Sequence, residues 1–484
     1  MTLTLIGHDR RFAVEQAALN YFPREGGGHA VSRLSHSGRL ASAAVEYGGK
    51  KARGRAWVPP DAPPDGALRM AFYRAARQLI EPPPWGALTG IRPVKKLEEL
   101  ADSLSGSERG GERIPGPPAF EKAARELTRR YDVSPVRAGM AADCAASAAP
   151  VRDRLGEKDV ALYIGIPFCP TRCAYCSFVS SSVERDAGLT GRYVETLLEE
   201  IALAGETVSR LGLRVRALYW GGGTPAVLSP EQFSSLCGAV RACFPLEFLE
   251  EHTVEAGRPD AVTPEKLAAY REGGAARVSV NPQTLREDVL DAIGRRHTPE
   301  QFWEAYGQAR RAGFDTVNVD LIAGLPGDGT EGFLSGLERI LAAAPENITV
   351  HTLARKRASR VAAEALPVCP ARTVGEMLDG AGERLRKNGY APYYLYRQKF
   401  TEGGFENTGW TKPGKACLYN LCMMEELCSV LSLGAGGVTK WVGKRIERLF
   451  HCKYPLEYIG RRDTMGDILT AFEGLYLKNG RTDG

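Results

Sequence analysis

The rhythm of apolar and polar positions changes along the chain, and the changes divide it before any single residue is considered. From about residue 160, short runs rich in β-branched and aromatic residues alternate with stretches of helical periodicity, the pattern of repeated βα units. The predicted strands are 161–168, 216–220, 252–255, 277–280, 316–322 and 347–353, with helices between them. Two helix starts are well marked: Ser229-Pro230-Glu231-Gln232 and Thr263-Pro264-Glu265-Lys266 each place an N-cap, a first-turn proline and an early acid in succession. Parallel strands joined by right-handed helical crossovers form a curved sheet or barrel whose site lies at the C-terminal strand ends.

The flanks read differently. Residues 1–150 carry a strand-like run at 2–6, proline breaks at 59–64 and 82–84, and a Gly/Ser/Glu/Arg stretch at 103–118 that reads as a loop or linker. They are expected to form a separate N-terminal α+β module whose role the sequence does not reveal. Its one locally basic cluster, 90–96, reads as a solvated surface. Beyond residue 353 come a basic run, a helix near 374–387, a strand-like 392–397 and a mixed tail. The expected division is therefore 1–150, a core at 158–360, and a C-terminal accessory domain at 361–484.

Composition narrows the class only a little. With 43% hydrophobic and 25% charged residues in 484, the chain is of ordinary globular type. No apolar run reaches the roughly 18 residues of a membrane span. The net charge of +5 gives no case for nucleic acid, and the first residues lack the pattern of a signal peptide, so the expected location is the cytoplasm. In that reducing setting the 11 cysteines are expected as free thiols or metal ligands.

One group of cysteines stands out by spacing. Cys169, Cys173 and Cys176 form a C-x3-C-x2-C triplet immediately after a predicted strand, within Tyr163-Ile164-Gly165-Ile166-Pro167-Phe168-Cys169-Pro170-Thr171-Arg172-Cys173-Ala174-Tyr175-Cys176. Thiolates are the ligands of iron–sulfur clusters, and three of them leave one iron of a [4Fe-4S] cluster open to the amino and carboxylate groups of S-adenosylmethionine (SAM). A structural zinc site needs four protein ligands, and no fourth Cys or His lies nearby in sequence. The next strand ends in Gly221-Gly222-Gly223-Thr224-Pro225, where consecutive glycines allow close backbone approach to a ligand. Glu255 closes the third strand, and Asp320 lies within an apolar strand where it requires a hydrogen-bonding partner. Cys417, Cys422 and Cys428 match no ligand spacing and read as free thiols.

The strings Tyr-x-x-Ile-Pro-Phe-Cys at 163–169, Gly-Gly-Gly-Thr-Pro at 221–225 and Asp-Leu-Ile-x-Gly-Leu-Pro at 320–326 resemble the radical SAM family of oxygen-independent coproporphyrinogen III oxidase (dehydrogenase) and its heme-chaperone relatives. The long N-terminal module and Tyr393-Tyr394-Leu395-Tyr396-Arg397-Gln398 resemble the anaerobe coproporphyrinogen dehydrogenase-like variant. The resemblance implies an incomplete (β/α)6 TIM-like barrel. It implies SAM contacts at Tyr163, Tyr175, Gly222, Gly223, Thr224, Glu255, Gln283, Arg295, Asp320 and Ala354, with no side chain assigned as nucleophile or acid–base catalyst. It implies oxidative decarboxylation of coproporphyrinogen III to protoporphyrinogen IX in heme biosynthesis, with an electron donor the sequence does not identify. A heme-binding chaperone that keeps the radical SAM site, or a radical SAM enzyme on another substrate, are the alternatives.

Two positions depart from the family pattern. Phe178 stands where the decarboxylating enzymes carry a fourth cysteine, and Cys417-Leu418-Tyr419-Asn420-Leu421-Cys422 stands where the chaperones carry His-Asn-x-x-Tyr. The basic run Arg355-Lys356-Arg357 after the last predicted strand is a candidate receiver for propionates, or a solvated face.

Overall fold

A computed structural model describes the chain except for residues 22–26, 106–115, 177–180, 184–187, 357–358, 365 and 480–484. The expected linker centre, Phe178 and Arg357 lie outside the described residues. Contacts divide the chain into two compact units, Met1–Ala146 with Leu395–Asn407, and Ser147–Tyr394 with Thr408–Gly484.

The first unit is built on a four-stranded sheet of β1 (Thr2–Ile6), β2 (His29–Leu34), β3 (Leu40–Tyr47) and β4 (Lys50–Trp57), in that order. β1 and β2 are parallel and the rest antiparallel. Strict alternation drives the arrangement: Ala52, Gly54 and Ala56 of β4 turn inward with Ala41, Ala43 and Val45 of β3, while the intervening positions face solvent. Helices Arg11–Ala18 and Asp65–Ala76 supply Val14, Leu68, Ala71 and Phe72 to the same core. A Cβ at Gly54 would come within 2.1 Å of the Ala71 carbonyl oxygen, so only glycine lets this helix lie so close to the sheet. The late segment Leu395–Asn407 is held in this unit by Glu406, which pairs with buried Arg137 at 3.0 Å and accepts from Trp85 Nε1 at 2.7 Å.

The second unit carries β5 (Asp159–Ile166), β6 (Phe168–Cys169), β7 (Ser181–Ser182), β8 (Arg214–Gly222), β9 (Glu251–Glu255), β10 (Arg277–Ser279), β11 (Thr316–Ala323) and β12 (Asn347–Thr352). β13 (Ala391–Arg397) and β14 (Glu406–Thr411), which contribute 391–394 and 408–411 to this unit, follow, and then β15 (Ser429–Leu433), β16 (Val438–Val442) and β17 (Ile446–Phe450). Among the described residues the large sheet runs β13-β14-β12-β11-β10-β9-β8-β5-β15-β16-β17. Its centre is six parallel strands lying in chain order from β5 to β12, one for each strand expected from the sequence. The anticipated helix starts are observed: Ser229 and Gln232 form a reciprocal capping box, and the Thr263 side chain accepts from the Lys266 backbone. The fold is mixed α/β.

The C-terminal strands enter this same sheet. β15 lies parallel to β5 and β14 antiparallel to β12, so residues 361–484 flank the core strands on both sides. Compactness therefore marks no boundary near residue 360.

Candidate functional site

All the chemically marked segments sit at the C-terminal ends of the parallel strands. β5 delivers Cys169 through the short pairing of β6 with β7. The loop that follows is pinned at its centre: the Ala174 amide donates to the Ile293 carbonyl at 2.8 Å and its own carbonyl accepts from the Val361 amide at 3.1 Å. Ala174 is buried with Val289, Leu290, Ile293, Ile322, Leu325, Leu353 and Val361, an apolar floor from four chain segments. A turn closed by Cys176 N–H on the Cys173 carbonyl, at 3.1 Å, brings those two cysteines round.

The three thiols lie close enough for the charge of each thiolate to disfavour that of its neighbours. Burial pushes the Cys169 thiol up to about 12, with Cys176 and Cys173 adding to the rise while Arg258 and Arg295 oppose it. Among the described residues no three His, Cys, Asp or Glu side chains draw together around a single ion. A polynuclear cluster holds its cysteines on separate irons, so its ligands share a space without meeting at a point. The donor set fits such a group: three cysteines on one pinned loop, faced by two buried guanidiniums, Arg295, which the sequence reading named, and Arg258, which it did not. Arg258 directs Nη1 to Cys173 Sγ at 3.5 Å and to Thr171 Oγ1 at 3.1 Å, and grips Asp260 through Nε and Nη2 at 2.8 and 2.6 Å. Arg295 donates from Nη2 to the Tyr175 hydroxyl at 3.0 Å, while its buried Nη1 has no partner among the described residues.

The glycine turn is explained by packing. A Cβ on Gly222, at φ 113°, would lie 2.9 Å from the Ile166 backbone, and one on Gly223 would lie 2.2 Å from the Phe168 carbonyl oxygen. The amides of Gly223 and Thr224 donate to the Ile166 and Phe168 carbonyls, each at 2.8 Å. These residues thus clamp the cysteine-bearing arm, a reason for glycine different from the ligand approach anticipated above. The fully buried Thr224 hydroxyl lies 3.1 and 3.0 Å from the carbonyls of Glu255 and Ala256 and accepts from the Ala226 amide, which joins the turn to the end of β9.

Glu255 and Asp320 have the partners their burial demands. The Tyr219 hydroxyl donates to Glu255 Oε1. Burial, with the charge of Asp320, nevertheless lifts the Glu255 carboxyl to about 7, against the opposing effects of Tyr219 and His351. For Asp320, burial alone would raise the carboxyl, but His351 and the hydrogen bonds of Asn318 and Thr349 outweigh it and hold the group below its ordinary value. Asn318 Nδ2 donates to Asp320 Oδ1 at 2.8 Å, and His351 Nε2 stands 3.6 Å from Oδ2. Two carboxylates on β9 and β11, the strands either side of β10, are thereby set to different protonation ranges.

Gln283 is tied to the same strand. Its amide donates to the Asp320 carbonyl at 3.0 Å and its carbonyl accepts from Ile322 at 2.9 Å. It does so at φ 70°, a left-handed conformation costly for a residue with a side chain, and its buried Oε1 has no partner among the described residues. Tyr163 stacks with Tyr219 and Tyr419 at centroid distances of 6.2 and 5.9 Å, and those two stack on each other at 4.2 Å. Ala354 follows β12 at the same strand ends, accepting from the Lys356 amide at 2.9 Å. Lys356 is half-buried beside the cysteine loop; burial lowers its ammonium group and the charge of Cys176 opposes this.

Two groups thus form: Cys169, Cys173 and Cys176 with Tyr175 and Arg295, and Tyr163 and Glu255 with Asp320 and Gln283. Gly222, Gly223 and Thr224 lie between β5 and β9 and join them. Sequence reading missed Tyr219, Asn318, Thr349, His351 and Arg258. The first four were within reach of strand parity, since Tyr219 shares a face with Gly221, and Asn318 shares one with Asp320. Cys417 proves to be a buried N-cap: its thiol donates to Glu251 Oε1 at 3.1 Å, and Glu251 also accepts from the amides of Leu418 and Tyr419.

Comparison with known proteins fits this geometry. The radical SAM superfamily model matches residues 163–339. The chain is 37% identical over 376 residues to the oxygen-independent coproporphyrinogen-III oxidase-like protein HemZ of Bacillus subtilis, covering 77% of this chain and 72% of that protein. It is 34% identical to the heme chaperone HemW of Lactococcus lactis over 41% of this chain and 50% of the relative. Against the oxygen-independent coproporphyrinogen III oxidase of Bradyrhizobium diazoefficiens it is 35% identical, over 44% and 47%. The fold is similar to that of coproporphyrinogen III oxidase (HemN) from Escherichia coli, with a TM-score of 0.53 at 22% identity, over 66% of this chain and 73% of that one. No helix among the described residues is long and apolar enough to cross a membrane. A cysteine triplet after the first parallel strand, a glycine turn after the second and carboxylates on later strands coincide with the matched region, and the chain belongs to the radical SAM enzymes, which use a [4Fe-4S] cluster and SAM, within the family of oxygen-independent coproporphyrinogen-III oxidase-like proteins.

Proposed function

We propose that the chain decarboxylates coproporphyrinogen III oxidatively to protoporphyrinogen IX without oxygen, with Cys169, Cys173 and Cys176 as cluster ligands. Glu255, Asp320, Gln283 and Arg295 take up SAM beside Tyr163, Tyr175, Gly222, Gly223, Thr224 and Ala354. The cluster and SAM, once bound, supply an electron and a radical able to take hydrogen from a propionate side chain. The chain's own residues bind, orient and keep water out. Arg295 Nη1 and Gln283 Oε1 retain hydrogen-bonding capacity that no described residue uses, as a polar ligand requires. Glu255 and Asp320, held in different protonation ranges, offer one acceptor that is ionised and one that titrates near neutrality. Lys356 beside Cys176, with Arg355 and Arg357, supplies positive charge for the carboxylates of the porphyrinogen.

The observation that carries the choice of oxidase over heme carrier is the state of Cys417. It lies in the stretch Cys417–Cys422, which stands where the carriers have His-Asn-x-x-Tyr and which holds no histidine. Burial and Glu251 hold its thiol well above its ordinary range, so it remains protonated and its hydrogen is committed to a carboxylate. A thiol in that state is a poor axial ligand for heme iron. Anaerobic incubation of the cluster-loaded protein with coproporphyrinogen III, SAM and a reductant tests the reading. Tri- and divinyl products are expected. Release of 5′-deoxyadenosine without vinyl product, where a known decarboxylating enzyme turns over, refutes it, and tight stoichiometric heme binding in the same preparation assigns the carrier role instead.

A further inference from the structure

We infer that Arg258 is a positioning residue that sets the reduction potential of the cluster through Cys173. The inference rests on the assignment of Cys169, Cys173 and Cys176 as cluster ligands and deepens it.

Arg258 lies just after β9, beyond Gly257 at φ 58°, and is 3% exposed. A guanidinium removed from water to that degree needs a compensating anion and a partner for each of its donors. Asp260 supplies the first with a fork-to-fork pairing at 2.8 and 2.6 Å. That pairing fixes the plane of the guanidinium and leaves Nη1 as the donor that reaches the loop. Its acceptors there are the Thr171 carbonyl at 3.3 Å, the Thr171 hydroxyl at 3.1 Å and Cys173 Sγ at 3.5 Å. One side chain therefore ties the middle of the cysteine loop to the end of a different strand.

The charges in this space do not cancel on their own. Arg258 and Arg295 are both buried, and Asp260 is the acid that faces the two of them. Among the described residues these three leave one positive charge over, and Lys356 beside Cys176 is a further cation. A [4Fe-4S] cluster held by three thiolates carries one net negative charge when oxidised and one more when reduced. The surplus cation therefore suits the oxidised cluster and favours the reduced one further. An N–H directed at a ligating sulfur acts in the same direction, because it withdraws electron density from the iron; hydrogen bonds to the sulfurs and net charge are the protein's main controls of such potentials. Arg258 supplies both at one atom.

The geometry also separates Arg258 from a purely structural strut. A strut would support the loop with any cation or amide of sufficient length. A residue acting through charge and hydrogen bond shifts the potential in opposite directions when the cation or its counter-ion is removed.

The test uses the full chain reconstituted anaerobically, with iron and sulfide content measured first and the midpoint potential then followed by EPR-monitored redox titration. Arg258→Met is expected to load cluster and to shift the one-electron equilibrium toward the oxidised form at least about tenfold, or 59 mV more negative. Arg258→Lys, which keeps the charge without the fork, recovers part of the shift. Asp260→Asn, which removes the counter-charge and retains hydrogen bonding, shifts the potential the other way. If Arg258→Met does not load, the lysine and asparagine variants carry the same sign test. Loaded variants with unchanged potentials, or shifts of one sign in both arginine and aspartate variants, overturn the inference while leaving the cluster assignment intact. A wild-type chain that takes up no [4Fe-4S] cluster overturns the assignment itself.

Discussion

Two sets of positive charge in this protein make a useful contrast. On the open face of the first unit, β4 presents Lys51, Arg53, Arg55 and Trp57 to solvent on alternate positions, with Arg33 on the neighbouring part of the sheet. Beside the cysteine loop, Arg258 and Arg295 are 3% and 5% exposed. The first set costs little because water solvates it, and Lys51 pairs with Glu46 at 3.1 Å where both are accessible. The second set is tolerated because an acid, a phenol, a sulfur and the oxygens of Thr171 engage most of its donors, Arg295 Nη1 alone among those described above having no partner among the described residues. An exposed cation says almost nothing about a partner. A buried one identifies the anion that must be near it.

The contrast can be broken most decisively at the thiols. Cys173→Ala is expected to abolish the anaerobically reconstituted [4Fe-4S] absorbance, whereas Cys417→Ala leaves it; iron near four per chain in Cys173→Ala would show that the buried cations serve something else. Next in size is the counter-ion. Asp260→Ala leaves Arg258 buried and unpaired and should cost the apo-protein about 3–5 kcal/mol in denaturant unfolding. Asp320→Ala should retain cluster and lose SAM affinity by roughly ten- to a hundredfold in calorimetry, the worth of a charged hydrogen bond of about 1.5–3 kcal/mol.

Protonation sharpens the comparison further. The Glu255 carboxyl is raised from 4.5 to about 7, so the folded state holds its proton more tightly than the unfolded one. Its contribution to stability is complete below pH 4.5 and is lost as pH rises through 7. Asp320, held below its ordinary 3.8, contributes in the opposite sense and loses its contribution in acid. Glu255→Gln should therefore remove a fall in apo-protein stability between pH 5 and 8, on the order of 1–3 kcal/mol, in pH-resolved denaturant melts. The smallest effect belongs to the open sheet face: Arg53→Ser and Arg55→Ser should each change stability by less than about 0.5 kcal/mol.

Much of the molecule was legible along the chain because its signals are local. Short β-branched and aromatic runs in alternation with helical stretches, capping residues and the spacing of Cys169, Cys173 and Cys176 depend on neighbours within a few positions, and the strands and helix starts they predict are observed. Six parallel strands in chain order follow from the same alternation.

What the sequence could not decide is everything that depends on which distant segments meet. Gly222 and Gly223 announce a close approach, yet only the register of β8 against β5 reveals that the approaching backbone is Ile166–Phe168. Asp320 demands a partner by its burial, but His351 is identified as one only by the pairing of β11 with β12. Residues 361–484 read as an appendage because their strands are separated in sequence from β5 and β12, and hydrogen bonding to those edges was invisible until the sheet was assembled. Arg258 is one of many arginines in the string until folding buries it against Cys173. Local chemistry fixes which side chains can bind a cluster, and long-range packing, which fixes their solvation and charge environment, decides how they are held.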